Sequence, residues 1–173
     1  MQDFLIVIDM QVDFIDGSLG SEDAIKIVPE VAKKIKEFDG IVIFTRDTHF
    51  DDYLDTQEGQ MLPVPHCIKG TTGHDIHPDL THLIGKFVHD KFTFGAKNLP
   101  DLINDITNNN YSNLSFTLVG LCTDICVISN AMILKAFYPE AVIIVDSNCC
   151  AGVTKESHEN ALNSMKMCQI NII

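Results

Sequence analysis

The chain has 173 residues, of which 46% are hydrophobic and 21% charged, enough for one globular domain with a core of its own. Gly and Pro together number only 16 (10 and 6), which excludes a collagen-like or broadly disordered polymer. With 12 basic against 24 acidic residues the net charge is -12, and Arg46 is the only arginine, so a nucleic-acid backbone or an anionic membrane is a poor partner.

The first element is the run Phe4–Ile8, ending in Asp9. Continuous rather than alternating apolarity fits a strand buried on both faces, as in a parallel sheet. Residues 24, 25, 28, 31, 32, 35 and 38 then form a helical apolar face, and Pro29 sets the expected start of that helix. Asp39-Gly40 closes it, and Ile41–Phe44 is a second buried strand. Between Asp47 and Gly85 no periodic element lasts, although five histidines and three prolines crowd the stretch. A loop of that length in a compact domain is usually functional.

Phe87–His89 is read as a short third strand, and Leu99–Ile106 as a helix. Leu114–Val119 follows as a strand, Asp124–Phe137 as a helix stopped by Pro139, and Ala141–Val145 as another buried strand. Thr154 caps a helix over Thr154–Met167, and Cys168–Ile173 closes the chain as a strand. Strands alternating with helices define an α/β domain: one domain over residues 1–173, with a mainly parallel six-stranded sheet and helices on both faces.

Six cysteines carry no Cys-x-x-Cys spacing, and no basic leader precedes the first apolar run. A reduced, cytoplasmic chain is therefore expected. Ligands of such folds sit beyond the carboxyl ends of strands, where Asp9, Asp47, His49 and the turn Gly120–Cys126 fall. Cys126 lies at a predicted helix start, where amide N–H groups favour a thiolate, although a cysteine taken alone is more often a buried small hydrophobe. Asp9 suits a turn cap as well as a proton acceptor. Lys91 suits a solvated cation as well as a charge that steadies a carboxylate or thiolate. Asp47, His49, Glu58 and His66 offer oxygen and imidazole donors for zinc, iron or manganese. His74, His77 and His82 read as solvent groups or turn makers.

The strongest pieces are Ile8-Asp9-Met10-Gln11-Val12-Asp13-Phe14 and Gly120-Leu121-Cys122-Thr123-Asp124-Ile125-Cys126-Val127. Arg46-Asp47-Thr48-His49, Pro65-His66-Cys67-Ile68-Lys69-Gly70-Thr71-Thr72-Gly73 and Asp90-Lys91 accompany them in order. Taken together they resemble the isochorismatase-like cysteine hydrolases, and among these the nicotinamidases. The resemblance implies a catalytic triad of Asp9, Lys91 and Cys126. It also implies a cis peptide between Leu121 and Cys122, and an oxyanion hole from the backbone N–H groups of Cys122 and Cys126.

Asp47, His49, Glu58 and His66 match the metal ligands of nicotinamidases that include a Glu, with the metal holding the pyridine nitrogen. The resemblance thus implies hydrolysis of nicotinamide to nicotinate and ammonia through a cysteine thioester, with a divalent metal, zinc first, and no organic cofactor. The alternative is another small amide, or a small-ligand-binding protein without turnover. Phe14 is assigned to the substrate pocket. Pro63 departs from the pattern, standing where many nicotinamidases carry an aromatic ring. An acidic surface with oily helices is compatible with a homo-oligomer but sets no subunit number.

Overall fold

A computed structural model describes residues 2–173. In chain order the elements are β1 (Gln2–Ile8), α1 (Val12–Ile15), α2 (Glu22–Glu37), β2 (Ile41–Asp47), α3 (Gln57–Met61) and α4 (Pro78–Thr81). They continue with β3 (Phe87–Lys91), α5 (Leu99–Thr107), β4 (Leu114–Leu121), α6 (Ile128–Phe137), β5 (Val142–Ala151), α7 (Lys155–Met167) and β6 (Asn171–Ile172). The six strands form one sheet in the order β3-β2-β1-β4-β5-β6, every neighbouring pair parallel.

Helices cover both faces of this sheet, which explains the unbroken apolarity of β1. Phe4, Ile6 and Ile8 pack on one side with Leu99, Ile103, Leu134, Leu162 and Met165 from α5, α6 and α7. Leu5 and Val7 pack on the other with Val28, Val31 and Ile35 of α2 and Leu80 of α4. The chain winds outward from β1 in one direction through β2 and β3, then restarts beside β1 with β4. The carboxyl ends of β1 and β4 therefore flank a reversal of strand order, the place where open α/β sheets form ligand crevices.

Three elements differ from the sequence expectation. Helix α2 starts at Glu22, capped by Ser21 Oγ accepting from Ala24 N–H at 3.1 Å, so Pro29 sits inside it. Proline in a helix interior removes one hydrogen bond and costs about 3 kcal/mol. Pro29 and Ile25, four residues earlier, both face outward, where water meets the freed carbonyl, while Ala24, Ile27, Val28, Val31 and Ile35 bury the opposite stripe.

Strand β5 runs six residues past Val145, to Ala151. Its polar stretch Asp146–Asn148 lies where the pairing with β4 shifts, between Leu118 and Gly120. Strand β6 shrinks to two residues because Cys168 and Gln169 turn the chain, Gln169 at φ 65°. As expected, Thr154 caps α7, its Oγ1 accepting from Ser157 N–H at 3.0 Å while Thr154 N–H donates to Ser157 Oγ at 3.0 Å. Among the described residues no helix is long and apolar enough to cross a membrane.

Candidate active site

Four strand ends deliver the side chains. Asp9 follows β1 with φ 48°, a left-handed conformation that Asp tolerates better than most residues. Lys91 is the last residue of β3, Asp47 the last of β2, and Cys126 lies past the end of β4. Lys91 Nζ stands 2.8 Å from Asp9 Oδ2, 2.9 Å from Asp47 Oδ1 and 3.5 Å from Cys126 Sγ. All four side chains are buried. Asp9 Oδ1 accepts from Thr45 Oγ1 at 2.7 Å, and Asp9 N–H donates to the same hydroxyl at 3.2 Å. Oδ2, although close to the ammonium, has no aligned hydrogen-bond donor. Oδ1 is thus held by Thr45, and Oδ2 faces the Lys91 ammonium.

The turn that carries Cys126 depends on a glycine. Gly120 has φ 117°, and a Cβ there would lie 2.0 Å from the Ile8 carbonyl oxygen of the paired strand. The peptide between Leu121 and Cys122 is cis, as the resemblance implied. Residues 123–127 then make one wide turn in which Val127 N–H bonds to Cys122 O, five residues back, at 3.0 Å. Such turns within helices recur at functional sites.

The electrostatics correct one expectation. Helix-start amides were expected to lower the Cys126 thiol; instead burial, with the Asp9 carboxylate beside it, pushes the thiol well above its ordinary range, against Lys91. Burial likewise raises Asp9, partly offset by Lys91. Burial opposes the charge on Lys91, but Asp9, Cys126 and Asp47 together hold it protonated well above the usual lysine range. Burial thus opposes charge on both Cys126 and Asp9, while Lys91 keeps its ammonium between the two acids.

Asp47 links this cluster to a second one. Its Oδ1 faces Lys91, while Oδ2 lies 3.2 Å from His49 Nε2 and 4.0 Å from His66 Nε2. Glu58 Oε1 stands 3.6 Å from His49 Nε2 and 3.7 Å from His66 Nε2. One donor atom from each of Asp47, His49, Glu58 and His66 lies within 4.8 Å of the others. His66 Nδ1 donates to Val64 O at 2.9 Å, so its Nε2 carries the lone pair toward the centre. Although burial opposes it, His49 and Lys91 bring the Asp47 carboxyl down to about 2. Two imidazoles and two carboxylates converging in this way fit a divalent cation of the zinc, iron or manganese type.

A sequence model of the isochorismatase domain matches residues 3–173. The chain belongs to the isochorismatase family. It is 30% identical over 176 residues to the isochorismatase family protein PncA of Bacillus subtilis, covering 94% of this chain and 93% of that one. The crystal structure of a pyrazinamidase/nicotinamidase from Streptococcus mutans matches with TM-score 0.83 at 28% identity, covering 99% of this chain and 100% of that one. The N-carbamoylsarcosine amidase of Thermoplasma acidophilum matches with TM-score 0.80 at 25% identity, covering 99% of this chain and 95% of that one.

In this isochorismatase domain the two clusters open into a single cleft of about 920 Å³, lined by Asp47, His49, Glu58, His66, Cys122 and Cys126. Phe14 lines it, its ring 5.4 Å from that of His66. Tyr53 packs edge-on against both His49 and His66, at 4.8 and 5.0 Å. Met61 and Leu62 reach the cleft beside Pro63, and Phe92 and Phe94 line it just past Lys91.

Several supporting residues escaped the sequence reading. Thr45 holds Asp9. Gln11 accepts from Asp47 N–H at 2.7 Å and donates to Asp47 O and His74 O, both at 2.9 Å, tying the end of β2 to the long loop. Asn130 accepts from Ala96 N–H at 2.9 Å and donates to Cys126 O at 2.8 Å and Phe94 O at 3.3 Å. The family motif contained Gln11, but Thr45 and Asn130 carried no sequence signal. His74 is no solvent group: it is buried, 2.9 Å from Thr48 Oγ1. His77 does cap a turn, accepting from Asp79 N–H through Nδ1.

Proposed function

We propose that the protein is a cysteine amidohydrolase that releases ammonia from a small carboxamide, with nicotinamide the first candidate. The observation that carries this reading is the buried contact of Asp9, Lys91 and Cys126 beside a four-donor cluster in the same cleft.

Asp9, held beside Lys91 and Cys126, takes the hydrogen of the Cys126 thiol as sulfur attacks the carboxamide carbon. A neutral thiol and a carboxylate raised by burial suit a transfer concerted with attack rather than a standing thiolate. The oxyanion that forms is received by the N–H groups of Cys122 and Cys126, on the turn that Gly120 permits. Protonated Asp9 returns its proton to the departing nitrogen, ammonia leaves, and the acyl group remains as a thioester on Cys126. Asp9 then deprotonates a water that attacks the thioester, releasing the carboxylic acid and restoring the thiol. Lys91 keeps its charge throughout and steadies Asp9, so it organises the site without carrying the proton. A divalent ion held by Asp47, His49, Glu58 and His66, zinc the first choice, would supply a Lewis-acidic anchor for a ring nitrogen of the substrate.

A second reading keeps these steps and changes the amide. Two observations favour it: Pro63 stands where a stacking ring was expected, and the fold is nearly as similar to an amidase named for a different substrate, with TM-score 0.80 against 0.83. Ammonia release from a panel of amides by the metal-loaded protein tests both. Turnover of nicotinamide above the others supports the first reading, turnover of another amide alone supports the second, and no turnover of any amide contradicts both.

A further inference from the structure

The cleft holds a clue to its substrate beyond the reacting group. Its volume of about 920 Å³ lies at the upper end of the roughly 300–1,000 Å³ of pockets that accept drug-sized ligands. A one-ring amide fills a small part of that space. The remainder is walled by Met61, Leu62, Phe92, Phe94 and Val153. These side chains are open to solvent, Met61 at 83% and Val153 at 63% exposure. Their backbones are nevertheless pinned. Leu62 O accepts from Tyr53 Oη at 2.8 Å, Phe94 O accepts from Asn130 Nδ2 at 3.3 Å, and Val153 N–H donates to the Asp124 carboxylate at 3.1 Å. Phe92 stacks on Phe50, with ring centroids 5.8 Å apart and planes 14° from parallel. Apolar side chains carried on a backbone anchored in this way form a wall whose position is set before a ligand arrives.

Charge points the same way. Among the described residues no lysine or arginine lines the cleft. Arg46 is paired with Asp90 at 2.7 Å, and Lys69 lies 3.7 Å from the same carboxylate, beside a separate hollow lined by Phe50, Asp51 and Asp52. Lys91 is committed to Asp9 and Asp47. A divalent ion in the four-donor cluster would already be balanced by the carboxylates of Asp47 and Glu58. An anionic substituent on the substrate would therefore meet no free cation, in a chain of net charge -12.

From the pinned apolar wall and the absence of lining cations we infer that the site selects uncharged amides whose acyl group extends beyond a single ring in an apolar arm. This rests on the amidohydrolase reading and specifies its substrate class.

Three substrates test it, with ammonia release by the metal-loaded protein as the readout. They are nicotinamide, nicotinamide bearing a phenyl group on the ring carbon meta to the carboxamide and distant from the ring nitrogen, and the same compound with a carboxylate on the phenyl. The expected result is kcat/KM for the phenyl compound at least equal to that of nicotinamide, and about tenfold or more above that of the carboxylate compound. Nicotinamide turned over faster than the phenyl compound, or a smaller discrimination against the carboxylate, would overturn the inference while leaving the amidohydrolase reading intact. Turnover of none of the three, with ammonia released from no other amide, would overturn both. Met61→Lys, which places a cation on that wall, should raise the ratio of kcat/KM for the carboxylate compound to that for the phenyl compound several-fold. An unaltered ratio would remove the Met61 side of the wall from the assignment.

Discussion

Replacing Lys91 with Met tests whether the ammonium is what makes two buried carboxylates tolerable. Methionine fills the lysine stem but leaves Asp9 and Asp47 facing the space that Nζ occupied, 2.8 and 2.9 Å away. Removing one partner of a buried ion pair costs about 3–5 kcal/mol, because the remaining charge is left uncompensated. The loss should depend on pH. Asp9 is already raised above its unfolded value of 3.8, and Lys91 is the main influence lowering it, so the substitution raises it further.

A carboxyl raised on folding contributes stability that is present below the unfolded value and is lost as pH climbs through the folded value. The penalty of Lys91→Met should accordingly grow with pH above the unfolded carboxyl value and approach about 3–5 kcal/mol near pH 8, while the share from Asp47, which Lys91 helps hold down at about 2, is present throughout that range. Urea unfolding of both proteins, with a chelator present, measures it. Adding Asp9→Asn removes one of the opposed charges, so the double variant should recover about 1–3 kcal/mol near pH 8. A pH-independent loss below about 1 kcal/mol would refute the reasoning, since exposed pairs behave that way.

Gly120→Ala should destabilise the protein by about 1–3 kcal/mol or prevent its folding, because a Cβ there meets Ile8 O and the φ of 117° is unfavourable to it; a thermal unfolding scan reads this. Asn130→Ala strands Ala96 N–H and Cys126 O in the interior, at about 1–3 kcal/mol each, and should lower kcat without changing metal content. His66→Ala should lose most bound metal in elemental analysis while circular dichroism stays unchanged, since the fold rests on the sheet and its two apolar layers.

The parts legible in the sequence are those whose signal is local. Phe4–Ile8 and Ile41–Phe44 read as buried strands because both sheet faces are covered, which abolishes polar alternation. Asp9 and Asp47 stood out as acids at the exits of such strands. The polar tail of β5, Asp146–Asn148, was invisible because it lies in an irregular stretch where packing no longer dictates apolar side chains. Pro29 misled because proline marks helix starts more often than it sits on an exposed helix face. Thr45 acts on a partner 36 residues away, and two of the three partners of Asn130 lie 34 and 36 residues away. A buried Thr or Asn looks the same in sequence as a surface one. Within the long loop, His74 and Tyr53 turned out to be interior residues, because short turns rather than periodic elements bury them.

The covalent step offers the most direct test of the central claim. Wild-type protein, loaded with metal and mixed with nicotinamide, is quenched within a turnover and its intact mass and peptides are read. A nicotinoyl adduct on Cys126, absent from folded Cys126→Ala and still present in Cys122→Ala, is the predicted result. An adduct on Cys122 instead, or ammonia release by Cys126→Ala at the wild-type rate, would contradict the account.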